Sequence, residues 1–381
     1  MYYLNKYKIY CLLFTAYSLL FTAHCPVACG AVDAGLTGNS PAADVFLNVD
    51  ELRPGMKGYG KTVFFGDRIL VFDVEILGVL KNWETKNDMI LVKLSGGPLE
   101  KTGVISGMSG SPVYVEDKVI GAVSYGWGFA KEAIAGVTPI KEMLKVLEAG
   151  EAGARRELGA APDKDAPLGT WESPLEPQEI HQGQMKETLA STLGGPQPKA
   201  DVTLKMVPIK TPLVVSGFDQ RVLKEMSEGL EKYGLFPVQG GGGSAPGGAD
   251  TAMGLPLAEG GQALNQDGSG QVLETGKMVP GAAIATILAI GDINASAVGT
   301  LTYRSGDNFL AFGHPFIQAG KTDIPMAGAH VHAVIPIQST SLKLASPTRI
   351  LGKIFQDSKS ALAGTLGRFS TMIPCTIKVV G

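Results

Sequence analysis

A chain of 381 residues that is 45% hydrophobic and only 18% charged can bury more than one core, which excludes intrinsic disorder and makes two or three folding units the expectation. Its 50 glycines favour turns and short strands over long helices. With a formal net charge of −3 and no Lys/Arg-rich run, it lacks the electrostatic footprint of a phosphate-backbone binder, so no nucleic-acid partner is expected.

Lys6 and Lys8 precede an apolar stretch from Ile9 to Ala23, and Ala28 and Gly30 supply small residues at an export-type cleavage site. Residues 1–30 read as a signal peptide, so the protein is expected to be exported, periplasmic or extracellular. The alternative is an uncleaved anchor, for which the stretch falls short of the roughly 20 residues that span hydrocarbon. Membrane association is expected only through this segment. Cys11, Cys25 and Cys29 lie in it, leaving Cys375, so no disulfide framework is expected. A lipoprotein signal at Cys29 is a minor alternative, because Pro26 stands where leucine is wanted.

Residues 31–150 read as a first β unit. Thr62–Phe65, Ile69–Leu80 and Asp88–Leu94 are β-branched and apolar, and Gly66-Asp67 turns the chain between the first two. Pro112–Val115 and Val119–Tyr125 form a hairpin about Glu116-Asp117. Thr138 and Pro139 then predict a helix whose Ile140, Met143, Leu144 and Leu147 fall at helical spacing before Gly150. Residues 151–275 read as linker plus a small α/β insertion: a strand at Thr211–Ser216, a helix whose Val222, Leu223, Met226, Leu230 and Tyr233 make a core-facing stripe, and flexible glycine-rich stretches. Residues 276–381 return to strands at Ala282–Ile290, Val298–Tyr303 and Phe309–Phe312. The fold class is mainly β.

The densest chemistry lies in Gly107-Met108-Ser109-Gly110-Ser111-Pro112. A serine between glycines in a tight loop presents its hydroxyl, and small neighbours let the N–H groups of Gly107 and Ser109 converge as oxyanion donors. The alternative is a glycine-serine turn between strands. Ser111 precedes Pro112 and reads as a loop support. Of the five histidines, His314 ends the apolar run Phe309–Phe312 and can face a cleft as general base. His330 and His332 share a strand face without a cysteine or carboxylate at ligand spacing, so no metal is expected. No cofactor is expected. Asp323, on the apparent turn Gly320-Lys321-Thr322-Asp323, is the preferred orienting acid; Asp292 and Asp307 are alternatives.

The stretch Ser109–Val115 followed by Lys118–Trp127 resembles the nucleophile loop and hairpin of chymotrypsin-like peptidases. That resemblance implies two β-barrel-like units, a peptide or protein substrate, and its pairing as an added strand with Ser124, Tyr125 and Gly126. More closely, Thr102–Pro112 with its Gly-Met-Ser-Gly-Ser-Pro loop, Phe72-Asp73-Val74-Glu75-Ile76 and Ala311-Phe312-Gly313-His314 resemble the sporulation protein IV B family of serine peptidases. The family resemblance implies an acyl-enzyme mechanism with Ser109 as nucleophile and His314 as base. The serine half comes first here, so a trypsin-like architecture would be in permuted order. Where that family carries an aspartate before the nucleophile glycines, this chain reads Leu94-Ser95-Gly96-Gly97-Pro98. A catalytically silent binding or scaffold module is the rival reading; a structural surface protein is a second.

Overall fold

The computed structural model describes residues 45–84, 87–158, 178–179, 205–240, 277–376 and 378. The expected signal peptide, most of the linker and the glycine-rich stretch before residue 277 lie outside them. The described chain runs β1 (Lys57–Phe65), β2 (Arg68–Glu84), β3 (Asn87–Ser95), α1 (Leu99–Thr102), β4 (Ile105–Ser106), β5 (Pro112–Val115), β6 (Lys118–Gly126), β7 (Ile134–Pro139) and α2 (Ile140–Leu158). It continues with β8 (Gln178–Glu179), β9 (Lys205–Pro208), β10 (Thr211–Ser216), α3 (Gln220–Glu231) and β11 (Leu235–Gln239). Last come β12 (Ala283–Ala289), β13 (Asn294–Ser305), β14 (Asn308–Ala311), β15 (Gly320–Ile335), β16 (Ser341–Ser358) and β17 (Ala361–Leu366).

Strands β5-β1-β2-β3-β7-β6 pair antiparallel in that order, and the β5–β6 hairpin closes them into a six-stranded barrel. Its filling follows from the two-residue period of a strand. Phe72, Val74 and Ile76 of β2 and Ile90, Val92 and Leu94 of β3 alternate inward and meet Val113, Ile120, Val123 and Val137 in one buried cluster. The tight β5–β6 turn puts Glu116 and Asp117 at positive φ (52° and 59°), the geometry that matches strand twist in a two-residue connection.

A second ring, β13-β12-β15-β16-β17-β14, is closed by the β13–β14 pairing. Its core holds Ile284, Leu301, Phe309, Met326, Ile354 and Leu362. The α/β insertion joins this barrel: β10 pairs with β13, and β11 runs parallel to β10. The apolar stripe of α3 is not core as its spacing suggests. No α3 residue is fully buried and Val222 is exposed, while Leu223, Leu230 and Tyr233 pack half-buried on the barrel.

Both barrels belong to one unit, Pro41–Gly381. Helix α2 passes Gly150, where the sequence suggests a stop, and lies across both barrels. Its Ile140, Met143, Val146 and Leu147 pack with Val119 and Ala122 of the first and with Leu310, Ala361 and Ala363 of the second. Each such side chain contributes about 1.5–3 kcal/mol by leaving water. Strand β4 crosses the seam as well, pairing in parallel with the start of β16.

Candidate active site

The loop Gly107–Ser111 hangs between β4 and β5, and its glycines are dictated by what surrounds them. Gly110 has φ 91°, and a Cβ there would stand 2.1 Å from the Thr300 carbonyl oxygen and 2.4 Å from the Phe312 nitrogen. Only glycine lets this loop lie against the second barrel. The loop is tied across the seam: Thr300 N–H donates to Ser109 O (2.8 Å), Thr302 Oγ1 to Gly110 O (2.7 Å) and Thr300 Oγ1 to Gly107 O (3.3 Å). Within it, Met108, Gly110 and Ser111 N–H groups are engaged by the carbonyls of Ile105, Val123 and Met108.

His314 follows β14 on a sharply bent segment. Phe312 (φ 67°) and Gly313 (φ 71°) are both left-handed, an unfavourable state for a bulky phenylalanine. Packing enforces it: the Phe312 ring fills the space where Gly299 would carry a Cβ, and Gly313 O accepts from Thr138 Oγ1 at 2.7 Å. The bend brings His314 Nε2 to 2.8 Å from Ser109 Oγ across the seam.

The tautomer follows from the other ring nitrogen. His314 Nδ1 lies 2.7 Å from the Pro315 carbonyl oxygen, which can only accept, so Nδ1 carries the hydrogen and Nε2 offers its lone pair to the serine hydroxyl. Burial of the ring, which disfavours imidazolium, lowers the His314 pKa to about 4, against a smaller upward effect of the Pro315 bond.

The sequence reading and the structure part company at three places. Asp323 does not meet the histidine. It lies in β15 rather than on a turn, because the left-handed Gly320 (φ 69°) turns the chain and the strand starts there. Its carboxylate pairs with Lys353 (2.8 Å) and accepts from Thr371 N–H. The carboxylate near the histidine loop is Asp357, which the sequence reading missed. Buried at the end of β16, it accepts the N–H groups of Phe316 and Ile317 (both 2.9 Å) and of Ala319 (3.1 Å), fixing the turn that follows Pro315. Burial raises its pKa, opposed by those N–H bonds. No sequence signal marks it, since an aspartate before Ser358-Lys359-Ser360 reads as a turn former. Finally, the Ser109 hydroxyl is not presented to solvent: Ser109 and His314 are 1% and 2% exposed, packed between the barrels.

Ser111 supports the loop, its Oγ donating to Met108 O at 2.6 Å and lying 3.0 Å from Thr62 Oγ1. Thr62 Oγ1 also accepts from Lys343 Nζ at 2.7 Å. Lys343 is fully buried beneath Gly107 with no carboxylate in an ion pair among the described residues, and desolvation lowers its pKa to about 7. Ser124 Oγ is held by Thr138 Oγ1 (2.7 Å) and by Gly136 O (3.3 Å). His330 and His332 lie away from this constellation in β15, with His332 Nε2 2.8 Å from Ser346 Oγ.

Residues 53–144 match the family described as SpoIVB peptidase S55. That supports a serine peptidase of the SpoIVB type and covers the first barrel, with the Gly107–Ser111 loop, into α2. His314 lies beyond the matched segment. No curated protein and no solved structure matches the chain.

Proposed function

We propose that the protein is an exported serine endopeptidase in which Ser109 is the nucleophile and His314 the general base. The observation that carries this reading is the paired engagement of the His314 ring: Nδ1–H is committed to a carbonyl, and Nε2, as acceptor, lies 2.8 Å from Ser109 Oγ. In the first step Ser109 Oγ bonds to the substrate carbonyl carbon while its proton passes to Nε2. The tetrahedral oxyanion would be received by the Gly107 and Ser109 N–H groups. Collapse breaks the C–N bond, the amine leaves with the proton from Nε2, and water then repeats the sequence on the acyl-enzyme. Pro315 O orients the ring in the place a triad acid takes elsewhere.

A second reading, a catalytically silent binding module, is favoured by the burial of both side chains and by a carbonyl rather than a carboxylate on Nδ1. A fluorophosphonate probe separates the two. Covalent labelling that maps to Ser109 and vanishes in Ser109→Ala is expected; a protein that never labels, or an adduct on Ser106 or Ser111, would defeat the assignment. Export is tested apart from chemistry, by a mature N-terminus close to Ala31.

A further inference from the structure

The edge of β6 at Ser124, Tyr125 and Gly126 is where an extended substrate would add as a strand, and in this structure it is taken. Strand β9 runs antiparallel along it, with Gly126 opposite Val207 and Tyr125 opposite Pro208. The ladder is extended by Ile209, whose N–H donates to Ser124 O at 2.9 Å. Pro208, which has no N–H to give, stands between these two bonding positions. The Ile209 side chain is 6% exposed and shares one apolar cluster with Ile105 and Met108, the latter adjoining Ser109. Together with Val104 it lines the space before Gly126, each about van der Waals distance from where a Cβ on that glycine would stand. Lys210, one residue on, is exposed.

We propose that Met206–Ile209 is an intramolecular occupant of the substrate groove, that the enzyme is latent until this strand is displaced, and that its substrates are extended peptides bearing an aliphatic side chain where Ile209 sits. The proposal rests on the peptidase reading. Main-chain pairing gives such a groove its affinity and the pocket for one side chain its selectivity. A tethered strand holds the groove at high effective concentration, so an external peptide competes poorly with it.

The test uses the full chain. Val207→Pro removes the N–H paired with Gly126 and touches neither Ser109 nor His314. It is expected to react with the fluorophosphonate probe at least tenfold faster than wild type. In a Ser109→Ala background it should bind a fluorescein-labelled synthetic peptide spanning residues 203–211, followed by anisotropy, while Ser109→Ala alone does not. The same peptide with aspartate in place of Ile209 should bind at least tenfold more weakly. A measurement without a groove variant covers a misfolded Val207→Pro: labelling wild type with a peptidyl phosphonate ending in valine should raise amide exchange at Val207 and Ile209. A folded Val207→Pro that labels at the wild-type rate and ignores the peptide would overturn the proposal, as would unchanged exchange in labelled wild type. Peptide binding without labelling of any variant would sink the catalytic reading while upholding the occupied groove.

Discussion

His314 has two neighbours that decide its behaviour, a carbonyl and a wall of apolar packing. With a carbonyl rather than a carboxylate on Nδ1 and the ring buried, imidazolium is poorly stabilised. The neutral, proton-accepting form therefore persists down to about pH 4 rather than being lost near 6.5, the value an exposed imidazole suggests. Fluorophosphonate reactivity followed against pH is expected to hold from neutrality to about pH 5 and to fall about tenfold per unit below 4. An acid limb centred near 6.5 would show that the ring is solvated in the working state. His314→Ala should lower the rate by several orders of magnitude.

The two aspartates make a paired prediction at the same scale. Asp323→Asn removes an exposed ion pair with Lys353, an interaction of about 0–1 kcal/mol, and should leave labelling within twofold. In Asp357→Asn only one acceptor oxygen remains, so either the Phe316 N–H or the Ile317 and Ala319 N–H groups are left facing an NH2 group. Each lost buried bond costs about 1–3 kcal/mol. The turn after Pro315 loosens, and both the melting temperature and the labelling rate should fall. Equal labelling rates in the two variants would remove Asp357 from any role in holding the histidine loop.

Among the elements, the seam glycine is the most exacting. Gly110→Ala adds strain at φ 91° and drives a methyl group into two backbone atoms that cannot rotate away. A loss of several kcal/mol is expected, together with loss of labelling, because the loop must back off from Thr300 and Phe312. Gly306→Ala is the control. It has positive φ (58°) but nothing within 4 Å, so about 1–2 kcal/mol and unchanged labelling follow.

The elements also show where sequence patterns speak and where they stop. β1, β2, β3 and the β5–β6 hairpin are legible because each buries alternate residues inside one barrel, so the pattern is written locally. Ser109 and His314 are legible because glycines and a lone histidine stand out from apolar strands. β9 is not: four residues including a proline, pairing with a strand some eighty positions earlier, carry no periodicity of their own. Asp357 is hidden for the same reason, since its N–H donors lie about forty residues upstream. The stripe of α3 misleads because amphipathic spacing reports a preference for burial without the depth of the surface available.

For the molecule as a whole, Lys343 links the seam to global stability. Its amine is fully buried and its pKa lowered to about 7, whereas in the unfolded chain it titrates near 10.5. Between those values the unfolded state binds the extra proton, so this group makes stability rise with pH from about 7 to 10.5 and flatten below 7. Lys343→Met keeps the volume and removes the charge. The variant should melt at a higher temperature than wild type at pH 7, with the difference shrinking as pH approaches 10. A constant difference across that range would show that the amine carries no such penalty.

Because the serine belongs to one barrel and the histidine to the other, the 2.8 Å between Oγ and Nε2 is a gauge of how the two barrels are aligned. Stability and labelling should therefore respond differently to changes inside a barrel and at the junction. A hole made inside either barrel, as by truncating Phe72 or Phe309, should lower the melting point yet leave the registration between the barrels, and hence labelling per folded molecule, largely intact. Changing Thr300, Thr302 or Thr138 at the junction acts on both: it removes a buried cross-seam hydrogen bond, which lowers the melting point, and it also lets Oγ and Nε2 move apart, so labelling should fall by more than the lost stability explains. On the proposed peptidase reading, drift in sequence at that junction therefore costs labelling more than a comparable change inside either barrel does.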